Sequence, residues 1–234
     1  MSLLSIVKNV CKRVGLVAPV AAIASTDDNI VRIIELANEE GEELAFEYAW
    51  QVLTTEATHT TVATESQGSI LTIAGADFGW IANDTLFNRT NNRPIVPVDD
   101  AAWQRMKANS VTGPYSNVRI RGNNLIAIPV PTAGHTWAFE WVSKNWCESS
   151  TGTKQSAWAA DTDVGRLDET LIKMGVVWRF KQSQGLEYAE DFNKYQRRLQ
   201  NSLARDGAKP RVHLGSGGNQ FLSSRNMKEG NWTI

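Results

Sequence analysis

The chain has 234 residues, enough for one large domain or two small ones, and its formal net charge is −1. A balance so close to zero gives no long-range attraction to nucleic acid or acidic lipid. No apolar run reaches the length of a membrane span, and the N-terminus lacks a cleavage signature, so we expect no signal peptide. Cys11 and Cys147 are too few for a disulfide framework, which favours free thiols and a reducing compartment.

Two helices are predicted near the N-terminus. Ser2 precedes a short run of helical period that stops at Gly15. A longer helix is predicted from a cap at Ser25 or Thr26 to about Leu53. Its apolar positions recur at helical spacing: Ile30, Ile33, Ile34, Ala37, Leu44, Ala45, Tyr48 and Leu53.

Four acids lie in the middle of this longer helix: Glu39, Glu40, Glu42 and Glu43. Such a run is most often a solvated helix face, and the alternative is a cation site. Gly41, between them, weakens the helix by about 1 kcal/mol relative to alanine and marks a bend or a close helix contact.

The segment from about residue 54 to residue 146 is rich in predicted strands. The runs "THTTVATE" and "GSILTIA" favour strands, "DFGW" favours a helical turn, and "DDAAWQRMKAN" a short helix. Three strands follow in "NVRIRGNNLIAIPVPTAGHTWAFEWVSKNWC", where apolar residues alternate and "GNN" suits a tight turn. An aromatic sheet of this kind closes as a small barrel or a sandwich.

Two more amphipathic helices are predicted in "RLDETLIKMGVVWRFKQSQG" and "EYAEDFNKYQRRLQNSLARDG", ending at Gly185 and Gly207. Their apolar stripes are Leu167, Leu171, Met174, Val177 and Trp178, then Tyr188, Phe192, Tyr195, Leu199 and Leu203. We expect them to form a hairpin that the N-terminal helices complete as a bundle. The predicted class is α+β, with a helical bundle domain (1–57 and 160–206), an inserted antiparallel β-domain (58–159) and an extended C-terminal tail (207–234).

The tail is rich in Gly, Ser and Asn but carries apolar residues that linkers usually lack. The candidate partner-binding residues there are Phe221, Leu222, Arg225, Met227, Trp232 and Ile234.

No catalytic signature is evident. His59, His135 and His213 lie in three segments without paired spacing, so neither a metal site nor a catalytic triad is predicted. The "GSGG" run lacks the Lys-Ser/Thr of a phosphate loop. We therefore expect no enzyme activity, no cofactor and no metal.

Two other classes of function remain open. A carbohydrate-binding module would use surface tryptophans for stacking: Trp137, Trp141, Trp146 and Trp158. A carboxylate-dependent hydrolase would bring Asp161, Asp163 and Asp168 together in one cleft.

Three stretches carry a family resemblance: "NDTLFNRTNNRPI", "FEWVSKNW" and "GLEYAEDFNKY". With them, roughly Met1 to Leu203 resembles the head-to-tail adaptor (connector) proteins of tailed, and especially short-tailed, bacteriophages. The resemblance implies a virion neck protein, assembled in the host cytoplasm, that forms a ring of usually twelve copies beneath the portal. Such a ring extends the DNA channel and supports tail nozzle, tube or fibre proteins.

Given an adaptor role, the residues themselves set expectations for partners and sites. Genomic DNA would pass without specific binding, and no membrane would be involved. The tail would dock on the portal or a neighbouring subunit, and the channel-lining candidates are Glu39, Glu40, Glu42 and Glu43.

Overall fold

The computed structural model describes residues 1–82, 85–109 and 113–207. In this part of the chain the fold is mixed α+β, with six helices and several mainly antiparallel sheets. The helices are α1 (Leu3–Val14), α2 (Asp28–Glu47), α3 (Ile70–Ile73), α4 (Asp100–Ala108), α5 (Glu169–Ser183) and α6 (Ala189–Asp206). The strands are β1 (Thr54–Thr60), β2 (Ser66–Ser69), β3 (Phe78–Ile81), β4 (Phe87–Asn88), β5 (Arg93–Pro94), β6 (Val96–Pro97), β7 (Asn117–Arg121), β8 (Asn124–Ile128), β9 (Thr136–Ser143), β10 (Cys147–Glu148), β11 (Lys154–Gln155) and β12 (Val164–Gly165).

The described residues divide into two compact units. The first unit contains Met1–Thr55, Ala76–Trp80 and residues 141–207, and the second contains Glu56–Gly75 and Ile81–Glu140. These boundaries differ from the expected segments, in which residues 141–159 belonged to the β-domain. They fall in the first unit because Trp146, Cys147 and Trp158 are buried in its hydrophobic core.

Helix α5 contacts α1, α2 and α6 and is therefore the central helix of the first unit. Its buried residues lie around much of the helix: Leu171, Ile172, Gly175, Val176, Val177 and Phe180. The single stripe predicted for this segment was incomplete, because a helix covered by three neighbours buries more than one face. Helix α6 is amphipathic, and it buries Tyr195 and Leu199.

Helix α2 begins and ends at different residues from those predicted. Its N-cap is Asp27, which follows both expected caps and accepts a hydrogen bond from the Asn29 backbone N–H at 2.9 Å. The helix ends at Glu47, before the expected end. Beyond it, the buried Trp50 folds back, and its indole Nε1 donates to the carbonyl of Leu44 at 2.6 Å.

The second unit contains a four-stranded sheet in the order β2-β8-β7-β6. Its pairs are antiparallel except for the parallel pair β6–β7. The predicted tight turn between β7 and β8 is confirmed, since Gly122 (φ 54°) and Asn123 (φ 63°) both adopt the positive φ that it requires. The predicted short helix is α4, whose Trp103 packs on Ile126 and Ile128 of β8.

Strand β9 pairs with β1 and β4 in the second unit, and β4 pairs with β5. Within the first unit, its last residues pair with β3. The expectation was a small barrel or a sandwich, and because the described strands form open sheets, the barrel is wrong. The physical reason is strand length, because β4, β5 and β6 have two residues each and cannot continue a ladder around a barrel.

Two local predictions in the β-rich segment were also wrong. The run "GSILTIA" is the end of β2 followed by helix α3, and "DFGW" begins the strand β3. Both are short apolar runs, for which periodicity alone does not separate helix from strand.

Cys11 and Cys147 are free thiols, as predicted, and both are buried. Burial, reinforced by the nearby charge of Asp163, raises the pKa of Cys147 to about 12. No helix in the described part of the chain is both long and apolar enough to cross a membrane.

Candidate interaction surface

The acidic run of α2 is divided by the helical geometry between two environments. Glu39, Glu42 and Glu43 are exposed, whereas Glu40 has no exposed surface at all. A side chain one position away on a helix points about 100° elsewhere, which separates Glu40 from Glu39. Glu40 therefore cannot line a channel, and that part of the expectation is corrected. That Glu39, Glu42 and Glu43 line a channel stays a prediction.

A single guanidinium group, that of Arg179 on α5, binds three of these acids. Its Nε donates to Glu40 Oε2 at 2.8 Å and its Nη1 to Glu39 Oε1 at 3.2 Å, while its Nη2 pairs with Glu43. The planar fork of arginine makes such multiple pairing possible. Three of the four acids are thus balanced in part by one base.

The environment of Glu40 is unusual for a carboxylate. Burial raises its pKa, although the interactions with Tyr195 and Arg179 oppose that rise. Gly175 of α5 lies directly against this carboxyl group, and a methyl group there would overlap it. Burial, reinforced by the neighbouring Glu40 charge, also raises the pKa of the Tyr195 phenol above its ordinary range. These groups hold α2, α5 and α6 together.

Above this buried network lies a groove of about 560 Å³ between α2 and α6, with α5 as its floor. Aromatic and apolar side chains dominate its lining: Phe46, Trp178, Phe192, Tyr195 and Leu199. The floor is well packed around the Trp178 ring. This ring contacts Phe192 edge-on at 5.1 Å, and the Arg179 guanidinium lies 4.7 Å from the centroid of the Trp178 ring. Glu43 and Glu47 make one wall acidic.

Phe46 is the most exposed aromatic residue of the first unit's helices, with 80% of its surface accessible. On one side it borders the groove, and on the other a smaller cavity of about 230 Å³ that is lined by Trp80 and Lys144. An exposed aromatic ring beside a groove with an aromatic floor is typical of a protein interaction site. We call Glu42, Glu43, Phe46, Glu47, Trp178 and Phe192 the Phe46 surface.

The Phe46 surface was missed in the sequence, although a signal was present. In "ELAFEYAW", Phe46 falls outside the helical stripe formed by Leu44, Ala45 and Tyr48. A large aromatic residue on the polar side of an amphipathic helix faces away from the hydrophobic core, and it indicates an interaction site.

The four tryptophans considered for sugar stacking are buried: Trp137, Trp141, Trp146 and Trp158. Their burial is explained by packing within the protein, for example the edge-on contact of Trp146 with Trp158 at 5.0 Å. These four rings are therefore not available at the surface for sugar stacking.

The three aspartates of the hydrolase alternative serve separate structural roles. Asp161 accepts hydrogen bonds from the backbone N–H groups of residues 22 and 23, and Asp163 accepts them from residues 159 and 160. Asp168 is the N-cap of α5 and pairs with Arg198. Because Asp163 is buried, the three do not line a common open cleft.

The candidate residues of the tail, Phe221, Leu222, Arg225, Met227, Trp232 and Ile234, lie outside the described residues. Within residues 1–82, 85–109 and 113–207, no group of three or more His, Cys, Asp or Glu side chains is arranged to hold a metal ion. No protein-family model matches the chain, and no curated protein matches it.

Proposed function

We propose that this chain is a structural virion protein, the head-to-tail adaptor of a short-tailed bacteriophage. It forms a ring under the portal, extends the DNA channel and provides the attachment platform for tail proteins. The role is non-catalytic. The family resemblance of the three sequence stretches motivates the proposal, and the exposed apolar surfaces of the first unit support it.

The observation that carries the proposal is the presence of two unlike apolar surfaces on one unit. One is the Phe46 surface. The other is the loop between α1 and α2, where Val17 and Val20 are exposed. Two different surfaces on the same subunit suit head-to-tail association, which closes into a ring when the rotation between subunits allows it.

In this proposal the fold is a bundle of α1, α2, α5 and α6 with the β-rich segment inserted between α2 and α5. Two findings support the bundle: α5 contacts each of the other three helices, and α1 also contacts α2. A rigid bundle and sheets of buried aromatic residues would present fixed surfaces to neighbours.

The partners follow from the adaptor role. They are other copies of the chain, twelve by resemblance, the portal, and tail nozzle, tube or fibre proteins, all within the neck of the virion after assembly in the host cytoplasm. DNA passes through without specific binding, and Glu39, Glu42 and Glu43 are candidates for the channel wall.

A mass measurement of the purified chain, alone and mixed with portal protein, tests the proposal. We expect a ring-sized assembly to form on the portal. A chain that stays monomeric in both samples would contradict it. Tryptophan fluorescence quenched by a sugar would instead favour a ligand-binding module.

A further inference from the structure

The loop between α1 and α2 presents apolar side chains to solvent. Val17 is 89% exposed and Val20 92% exposed, and Ile23 is also exposed. The stretch from Leu16 to Ser25, "LVAPVAAIAS", contains no charged residue. An uncharged surface segment with solvent-exposed valines is typical of a protein–protein interface.

This loop is held in place at both ends and is not a free linker. Gly15 ends α1 with a positive φ of 79°, and the Leu16 N–H donates to the carbonyl of Cys11 at 2.9 Å. Near the other end, the Asp161 carboxylate accepts hydrogen bonds from the N–H groups of Ala22 and Ile23, and Ala22 is fully buried. A fixed loop loses little conformational entropy on binding.

The Phe46 surface has the complementary character. Its groove is large enough for two or three aliphatic side chains, its floor is aromatic, and its wall carries Glu43 and Glu47. The base Lys12 lies in the last turn of α1, next to the loop, whereas Arg13 pairs with Asp191 of its own chain. Apolar contact in the centre with opposite charges at the edge is the usual arrangement of a specific interface.

We propose that the α1–α2 loop of one copy of this chain binds the Phe46 surface of a second copy. Val17 and Val20 enter the groove beside Phe46, and Lys12 faces the acidic wall. In this proposal the contact joins two copies, since the bonds to Asp161 hold the loop on the surface of its own chain. Each copy contributes its loop to one neighbour and its Phe46 surface to the other.

This contact deepens the proposed ring function and rests on it. Because the two surfaces are different, the contact is heterologous, and repeating it produces a closed ring or an open chain of subunits. A symmetric dimer through either surface alone is not expected.

Cross-linking tests the pairing directly. The variant Val20→Cys/Phe46→Cys should form a ladder of disulfide-linked oligomers on mild oxidation. A mixture of Val20→Cys and Phe46→Cys single variants should stop at a linked dimer that contains one of each. The native Cys11 and Cys147 contribute little background, because both are buried.

Charge substitution tests the strength of the contact. Val20→Glu and Phe46→Glu should each weaken self-association at least about tenfold, as loss of an interface anchor does. The matched control is Val130→Glu, at an exposed valine of the second unit, which should assemble like the unmodified chain. Circular dichroism and urea unfolding should show that all three variants fold normally.

The results separate this contact from the proposed function. A linked ladder, together with weakened rings in both charge variants, supports the contact. Unlinked chains, with rings that form normally in both charge variants, overturn the contact and leave the ring function standing. An unmodified chain that remains monomeric with portal protein overturns both.

Discussion

Gly175 of α5 and Glu40 of α2 fit so closely that any side chain at position 175 would overlap the Glu40 carboxyl group. Glu40 is completely buried, and one turn along α5 the Arg179 side chain donates to it. The close approach of the two helices and the buried ion pair therefore depend on each other. Together they set the register of α2 against α5, beneath the Phe46 surface.

Replacing Gly175 with alanine should destabilise the protein. Alanine favours an isolated helix by about 1 kcal/mol, but overpacking a core costs about 1–3 kcal/mol, and here the displaced group is a buried carboxyl. We expect a net loss of about 1–2 kcal/mol, at the upper end of the difference between these two effects, in the free energy of unfolding measured by urea denaturation. Gly113→Ala is the matched control, because that position is open and has no left-handed backbone. Equal stability of the two variants would contradict the prediction.

Replacing Arg179 with methionine leaves Glu40 buried without its base. We expect a loss of about 3–5 kcal/mol at neutral pH, and a smaller loss for the double variant Glu40→Gln/Arg179→Met, which removes both charges. Equal losses in the single and double variants would show that the charge of Glu40 is not the cause.

The stability loss caused by Arg179→Met should depend on pH in a defined direction. The pKa of Glu40 is raised in the folded state, so the folded state binds the proton more tightly than the unfolded state. The favourable contribution of protonated Glu40 is present below its ordinary pKa of 4.5 and is lost as pH rises through the folded value. The deficit of Arg179→Met should therefore shrink when unfolding is measured near pH 4 instead of pH 7. A deficit independent of pH would contradict this.

Asp168 should give the opposite pH dependence. Burial opposes its charge, but hydrogen bonds from Arg198 and the Thr170 N–H outweigh burial and lower the pKa of Asp168. Its stabilising effect is thus present above the ordinary pKa of 3.8 and is lost as pH falls through the lower folded value. Asp168→Asn keeps a good N-cap and should cost about 1 kcal/mol at pH 7, with a smaller difference in acid. The exposed Glu35→Gln serves as control and should leave the urea midpoint unchanged.

Removing the tail from Gly215 onward should separate folding from assembly. Ordering a chain costs about 1–2 kcal/mol per residue in conformational entropy. Burying each apolar side chain of the tail contributes about 1.5–3 kcal/mol, and this gain requires a partner with pockets for those side chains. We expect an unchanged helical signal in circular dichroism and no joining of portal rings. Full-length Phe221→Ser/Trp232→Ser should show the same defect. Normal joining by the truncated chain would assign docking to the helices.

Assembled rings should not bind duplex DNA tightly at physiological salt. A chain of net charge −1, with exposed Glu39, Glu42 and Glu43, offers no strong electrostatic attraction to phosphates. Fluorescence anisotropy of labelled duplex, titrated with rings at two salt concentrations, measures this. Tight binding that weakens steeply with salt would show a basic channel wall instead.

The existence and type of the longer helices and strands follow from patterns within each segment of the sequence. The helical period revealed α1, α2, α5 and α6, and the alternation with "GNN" located β7 and β8 and their turn. These signals are local, because they arise from side-chain spacing and turn residues a few positions apart. For Gly41 the sequence predicts a bend or a close helix contact, whereas the close contact in the structure is with a side chain outside the helices: a methyl group there would lie 2.5 Å from the Trp146 ring.

Which helices and strands contact one another, and the role of each charged residue, became evident from the folded structure. The acids of α2 look alike in sequence, yet Glu40 is buried because Arg179, 139 residues away, and Gly175 provide a base and a space for it. Likewise, the closed barrel could not be excluded until the strands β4 to β6 proved to be two residues long. Burial and ion pairing depend on contacts between distant segments, and the periodicity of one segment does not specify its partner.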